Sequence, residues 1–467
     1  MKALVLKGKG KIEYINKSEP TLIDPHGALL EPVLVSPCTS DVHTIWQGSP
    51  KRPDLTLGHE VIAKVKAIGS EVKDFKPGDL VAVSAITPDW SQPDVDINYA
   101  HAGQNFSAHM IGKSIDGAFQ NTFYLPFADK NLAHIPEGMS LEDALMCVDV
   151  VQTGFTAVEE AGVSEGDTVV VMGIGAIGLA AIMGSRLAGA KKIYAVGSRP
   201  DNVRIAEAMS DDSCRVEVLN YKTLACPLPE GMHPLANSTG SPVVNYVLQE
   251  TATKGADKVL ICGGDDYSLP QSIDMVKYGT GVVSNVMYFG ADTEVQDEEC
   301  RKLKDINDCI NETCSGTHQA ANAETNSPEN VRDIDNSELP QQPNSGAPQT
   351  NTGTLKSDSG AIQTKTGTPQ QPICEIPKNN SSPGLNTTID SLQIPKFSMG
   401  RGMAGKTLKF SLSKGGRKNL ERIMSLVKDY DLHPGCFITE RYEGLDKVEQ
   451  AIYDLKERKA IKIAVRV

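Results

Sequence analysis

Three stretches far apart in this chain bring together residue types that bind a transition metal. They are Pro37-Cys38-Thr39-Ser40-Asp41-Val42-His43, then Gly58-His59-Glu60, then Cys147-Val148-Asp149. Thiolate, imidazole and carboxylate form the donor set of a catalytic zinc, which takes three protein ligands and keeps one position open for water or substrate. Downstream, Val169-Val170-Val171-Met172-Gly173-Ile174-Gly175-Ala176-Ile177-Gly178 reads as an apolar strand entering a phosphate-binding turn and then a helix. A Lewis acid beside a hydride carrier points to oxidoreductase chemistry on an alcohol or ketone.

Each metal candidate alone has an ordinary explanation. An intracellular Cys is more often a buried apolar residue than a ligand. His59, after a glycine, could be a satisfied loop histidine, His43 a packing residue, and Asp149 a helix N-cap. The combination is more specific than its parts.

In the glycine-rich turn, Gly173 permits the tight turn and Gly175 lets backbone approach a pyrophosphate. Gly178 lets the helix pack on the strand. About 20 residues further on, an NAD enzyme places an Asp or Glu on the ribose hydroxyls. Here the next strand, Ile193-Tyr194-Ala195-Val196, ends in Gly197-Ser198-Arg199. A hydroxyl and a guanidinium in place of a carboxylate suit a 2′-phosphate, so NADP is the expected cofactor. The alternative is that Arg199 is a solvated surface charge.

These residues need elements to carry them. At 467 residues the chain exceeds one ordinary core, so two domains are expected. Up to about residue 150 it reads as short β runs broken by Gly and Pro, with Lys76-Pro77-Gly78-Asp79 as a turn between 61–65 and 80–83. From Val151 strands alternate with helices, which predicts an α/β fold with a doubly wound parallel sheet. Between 291 and 392 the periodicity stops in favour of Asn, Gln, Ser, Thr, Pro and Gly. Such sequence cannot bury enough apolar surface to offset roughly 1–2 kcal/mol of backbone ordering per residue, and a long disordered insertion is expected there. A smaller polar insertion is expected near 224–241. Folded texture returns at 394, with helices at 417–430 and 445–457 and a last strand at 461–467.

The formal charge of −13 argues against a nucleic-acid surface. The apolar stretch 168–184 fits a βα unit better than a membrane span, and nothing near Met1 resembles a signal peptide. A cytoplasmic protein is therefore expected. Ten cysteines without framework spacing agree with that.

In this order the motifs resemble the zinc-dependent medium-chain dehydrogenases, and within them the tetrameric NADP-dependent secondary alcohol dehydrogenases. Further landmarks are Val72-Lys73-Asp74-Phe75-Lys76-Pro77-Gly78-Asp79, Ala85-Ile86-Thr87-Pro88-Asp89-Trp90 and Asn220-Tyr221-Lys222. The resemblance spans all but the two insertions. It implies a β-rich GroES-like catalytic domain over 1–152, completed by 411–467, and a Rossmann NADP domain over 153–290, completed by 393–410. It implies that Cys38, His59 and Asp149 hold the catalytic zinc, with Glu60 an adjacent, sometimes exchanging ligand, and that Ser40 and His43 relay the alcohol proton. Gly197, Ser198, Arg199 and Tyr221 would hold the 2′-phosphate with Lys456, and Val286, Met287 and Tyr288 would lie near the nicotinamide. Small secondary alcohols or ketones as substrates and a homotetramer follow from the same likeness. The alternatives are a polyol or aldehyde reductase of the superfamily, or a non-catalytic NADP-binding protein.

Two departures stand out. No cysteine lies between Ser84 and Phe119, where many alcohol dehydrogenases carry a four-cysteine structural-zinc lobe, so a single zinc per subunit is expected. Where the secondary alcohol branch often lines its pocket with Trp, this chain has His109, a smaller and more polar wall. Deleting residues 297–391 is expected to leave most activity intact in a spectrophotometric assay. Loss of soluble folded protein would instead give that segment a structural task.

Overall fold

Eight strands come from the part of the sequence broken by glycine and proline. They are β1 (Lys2–Gly8), β2 (Lys11–Asn16), β3 (Ala28–Ser36), β4 (Leu55–Thr56), β5 (Glu60–Ile68), β6 (Leu80–Val83), β7 (Phe123–Leu125) and β8 (Leu132–His134). The alternating part supplies β9 (Thr168–Met172), β10 (Lys192–Val196), β11 (Arg215–Leu219), β12 (Lys258–Ile261), β13 (Val282–Asn285) and β14 (Thr407–Phe410). The C-terminal part adds β15 (Ile438–Glu443) and β16 (Lys462–Arg466). The computed structural model describes residues 1–47, 53–88, 90, 111–228, 230, 241–265, 267–287 and 405–467. The insertion expected at 291–392, most of the smaller one, His109 and Tyr288 lie outside the described residues.

The strands form two main sheets and a small one. A three-stranded sheet runs β2-β1-β4. A seven-stranded sheet runs β15-β16-β3-β5-β6-β8, with β7 pairing to β3. The turn expected at 76–79 closes a β5–β6 hairpin, in which Val61 faces Val83 and Lys64 faces Leu80. The last two strands return to this sheet, where Val465 pairs with Val35.

A six-stranded sheet, all parallel, runs β11-β10-β9-β12-β13-β14. Its central strand, β9, is apolar on both faces because helices cover both, which is why it reads as a continuous run and does not alternate. Val169 and Val171 join the core that includes the helix Ala176–Leu187, while Val170 and Met172 join a core built with Val243 and Leu269. All described residues fall in one compact unit.

The helix Gln152–Ala161, which continues from the turn that carries Asp149, packs against the helix Ala176–Leu187. Gly154 sits at that contact. A Cβ there would lie 2.6 Å from Ala180 Cβ and 2.8 Å from the Ala181 amide. Gly154→Val should therefore destabilise the protein by about 1–3 kcal/mol through overpacking, read as a lower denaturant midpoint. An unchanged midpoint would mean that the helices can part without cost.

Candidate active site

Cys38 stands at the N-cap of the helix Thr39–Trp46, with extended backbone. Its amide donates to Asp41 Oδ2 at 2.9 Å, half of a capping box that fixes the first turn and with it the thiol. Gly58 has φ of +98°, and a Cβ there would lie 2.5 Å from the Phe119 ring. Glycine alone lets the chain enter β5 at this angle and present His59 and Glu60 in succession. Asp149 lies in a π-helical turn, Cys147–Val151, between the helices Leu141–Met146 and Gln152–Ala161. Gln152 Nε2 donates to the Val148 carbonyl of that turn at 2.5 Å, and Gln152 Oε1 accepts from Asn419 Nδ2 at 2.7 Å. Thr153 Oγ1 donates to Asp149 Oδ1 at 3.1 Å, which leaves Oδ2 to face the other ligand candidates.

One donor atom from each of Cys38, His59, Glu60 and Asp149 lies within 4.8 Å of all the others. Asp149 Oδ2 is 3.6 Å from Cys38 Sγ and 3.9 Å from His59 Nε2. His59 and Glu60 are buried, whereas Cys38 and Asp149 retain accessible surface, so the cluster opens on their side. His59 Nδ1 faces Asp41 Oδ1 at 3.4 Å. That carboxylate favours the Nδ1–H tautomer and turns Nε2 towards the cluster, as the carboxylate partner of a metal-bound histidine does.

The electrostatics fit a cation. Burial pushes the Cys38 thiol up, and the Glu60 charge adds to it against a smaller opposing pull from Lys462. Burial likewise raises Glu60 to about 7, with Lys462 opposing and Asp149 reinforcing. Burial is the largest influence on the His59 pKa and lowers it, but the charge and hydrogen bond of Asp41 together with those of Cys38 outweigh it and raise the imidazole well above its ordinary value. Among the described residues Glu60 Oε1 is buried without a hydrogen bond, and His59 Nδ1 has the Asp41 carboxylate at 3.4 Å. A divalent ion in the cluster would offset the crowding of these donors, and a thiol, an imidazole and carboxylates are the donors zinc accepts.

Ser40 and His43 lie on one face of the helix Thr39–Trp46, three residues apart. Ser40 Oγ is 3.2 Å from His59 Nε2, within the cluster. The half-buried His43 ring meets Gln47 Oε1 through Nδ1 at 2.7 Å, one turn further along.

The cofactor candidates collect along one edge of the six-stranded sheet. Parallel register sets Met172 beside Val196, Val196 beside Leu219, and Ile261 beside both Met172 and Asn285. The residues that follow these strands therefore emerge together: the turn 173–178, then Gly197-Ser198-Arg199, Asn220-Tyr221-Lys222 and Val286-Met287. Gly173 has φ of +82°, and a Cβ there would lie 2.4 Å from the Gly263 carbonyl. A Cβ on Gly178 would lie 2.2 Å from the Gly173 carbonyl, whereas one on Gly175 would meet Arg199 Nη2 only at 3.9 Å. Ile174 packs on Gly197, its carbonyl held by Asn202 Nδ2 at 2.6 Å. Ala176 and Ile177 open the helix Ala176–Leu187, whose first amides face the turn.

Arg199 extends to Gly175, its Nη2 3.9 Å from where a Cβ there would stand. Burial lowers its pKa, as does the positive charge of Arg458. Tyr221, about half exposed, lies near enough to act on the same guanidinium. Lys456 holds its ammonium over the Trp46 ring, 4.1 Å from the centroid, so the cation that acts on Arg199 from this part of the chain is Arg458.

The comparisons with known proteins follow the same lines. Over 460 residues the chain is 30% identical to the NADP-dependent isopropanol dehydrogenase of Thermoanaerobacter brockii, spanning 98% of this chain and 97% of that one. This chain belongs to the zinc-dependent medium-chain dehydrogenases. Residues 24–137 match the alcohol dehydrogenase GroES-like domain. The NADP-dependent isopropanol dehydrogenase of Clostridium beijerinckii is 38% identical over 293 residues, covering 62% of this chain and 77% of that one. The alcohol dehydrogenase of Thermus sp. ATN1 shares the fold, with a TM-score of 0.67 and 20% identity over the whole of both chains.

Three residues of this dehydrogenase's site carry no role in the sequence reading. Asp41 could have been found as the acid three residues after an N-cap. Lys462 is a lone charge inside Ile461-Lys462-Ile463-Ala464-Val465, a signal in itself for a buried pair. Arg458, among charges on an exposed turn, had no signal. Asp41→Asn is expected to loosen zinc by roughly 10–100-fold, the usual effect of removing an outer-shell carboxylate, while NADP affinity stays the same. Chelator competition measures it, and an unchanged zinc affinity would leave Asp41 as a helix cap and nothing more.

Proposed function

We propose that this dehydrogenase interconverts small secondary alcohols and ketones with NADP, using Cys38, His59 and Asp149 as the ligands of one catalytic zinc and Glu60 as their neighbour. The observation that carries this reading is the convergence of the four donors within 4.8 Å. The relatives named NADP-dependent isopropanol dehydrogenase support the substrate class. The absence of cysteine between Ser84 and Phe119 supports a single zinc.

When bound, zinc lends Lewis acidity to a substrate oxygen and NADP carries the hydride. The chain's own groups bind, orient and move protons. Asp41 holds His59 in one tautomer. Ser40 Oγ takes the hydroxyl proton during alcohol oxidation and returns it during ketone reduction. His43 relays that proton outward from the next turn, with Gln47 Oε1 fixing its Nδ1–H. The turn 173–178 cradles the pyrophosphate. Gly197, Ser198, Arg199 and Tyr221 hold the 2′-phosphate, with Arg458 as the second cation, and Val286 and Met287 border the nicotinamide.

The sheet membership of the strands supports a catalytic part over 1–152 with 411–467 and an NADP part over 153–290 with 393–410. Among the described residues β14 ends the six-stranded sheet, and Phe410 and Leu412 are 54% and 43% exposed there. An open edge beside exposed apolar side chains supports pairing between copies, as a homotetramer would use. No helix among the described residues is long and apolar enough to cross a membrane, and we favour a cytoplasmic enzyme.

Oxidation of propan-2-ol should proceed with NADP, stop on chelation and return with zinc. Arg199→Ala should raise KM for NADP by about 10–100-fold, the equivalent of one hydrogen bond to a charged group, and barely change KM for NAD. Wild-type preference for NAD would overturn the reading of residues 197–199, and zinc-free activity would overturn that of Cys38, His59 and Asp149.

A further inference from the structure

Lys462 opens β16 and is only 4% exposed. Its ammonium donates to Glu60 Oε2 at 2.5 Å and to the Pro37 carbonyl at 3.0 Å. The sheet dictates this reach. Strand β16 lies beside β3, whose last residue, Ser36, faces Glu60 on β5. The lysine thus passes over Pro37 to the carboxylate on the far side. Both of its contacts adjoin metal candidates, since Pro37 precedes Cys38 and Glu60 follows His59. The other oxygen of that carboxylate, Glu60 Oε1, is buried without a hydrogen bond among the described residues.

The cluster therefore contains four donors, while a catalytic zinc needs three and a vacancy. Four protein ligands around zinc make a closed, structural site; three leave the position that substrate occupies. A carboxylate beside a divalent ion in a buried site has every electrostatic reason to bind it, unless a cation of comparable proximity holds it. We propose that Lys462 is a positioning residue that holds Glu60 away from the zinc and so keeps the fourth coordination position open. This rests on the reading of Cys38, His59 and Asp149 as zinc ligands. A simpler role, an ion pair fastening the C-terminal strand to the sheet, would use the same contacts but would not bear on the open position.

The test uses the full-length holoenzyme and its cobalt-substituted form, with imidazole as the probe of an open position. Wild type should contain zinc, and imidazole should shift its cobalt absorption bands. A wild type that binds neither metal would sink the zinc reading itself, which separates that failure from this one. Lys462→Met should release zinc to a chelator at least 10-fold more slowly and lose the imidazole response, with kcat falling at least 10-fold. Adding Glu60→Gln to Lys462→Met should restore zinc release, imidazole response and kcat, whereas Lys462→Arg should keep the wild-type response. Release at or above the wild-type rate with the imidazole response intact would overturn the proposal, as would a double variant that recovers nothing. Should Lys462→Met not fold, Glu60→Gln alone decides. Zinc release within 2-fold of wild type supports an uncoordinated Glu60. Release as fast as that of Asp149→Asn makes Glu60 a permanent ligand and removes any task for Lys462.

Discussion

Four electron-rich side chains held within 4.8 Å of one another are the constraint around which this protein is built. Without a cation the arrangement is unfavourable, because burial and mutual repulsion raise both the thiol and the Glu60 carboxyl. The scaffold resists the obvious relief, which would be for the groups to move apart. Cys38 is fixed by a capped helix start, Glu60 by the start of a mid-sheet strand and His59 just before it, and Asp149 by a π turn with its own hydrogen-bond support. Preorganisation of this kind moves the cost of crowding into the folding of the chain, so that the metal meets a finished site.

The nucleotide half follows a different logic. Its geometry comes from register, since parallel strands that begin level also end level, and everything that follows them reaches one edge. No side chain needs to travel far, and backbone does much of the binding. On the proposed assignment the glycines matter by their lack of a Cβ, and the ribose end, where charge must be recognised, falls to Arg199 and its neighbour Arg458.

The sequence reveals these two halves unequally. The turn 173–178 is contiguous, so the chemistry and the βα element that carries it can be read together. The π turn at Cys147–Val151 was invisible, because nothing in Cys147-Val148-Asp149-Val150-Val151 distinguishes it from the start of an ordinary helix. Its stabilising partner, Asn419, comes from far along the chain. The same holds for Lys462, whose significance depends on β16 returning beside β3. Local pattern encodes elements well, but a site assembled from remote strands is decided by tertiary pairing. Arg458 is the extreme case: only its place in the fold separates it from the charged residues around it.

The remaining question is how two sites made by such different means are kept in register, since hydride transfer depends on orientation to within fractions of an ångström. The answer lies in one helical run. Asp149 and Gly154 are five residues apart on the π turn and the helix that continues it. Gly154 packs directly on Ala180 and Ala181 of the helix that begins at the glycine turn. The proposed metal ligand and the proposed pyrophosphate cradle are thus tied by a close helix contact with no room for a side chain between the backbones. Such a contact cannot slide without opening a void in a close-packed core, which would forfeit the dispersion contacts that hold it. The distance between the two chemistries is set by rigid packing and not by loops. On the proposed assignment, a substrate at the metal would meet the nicotinamide in a geometry that this packing fixes.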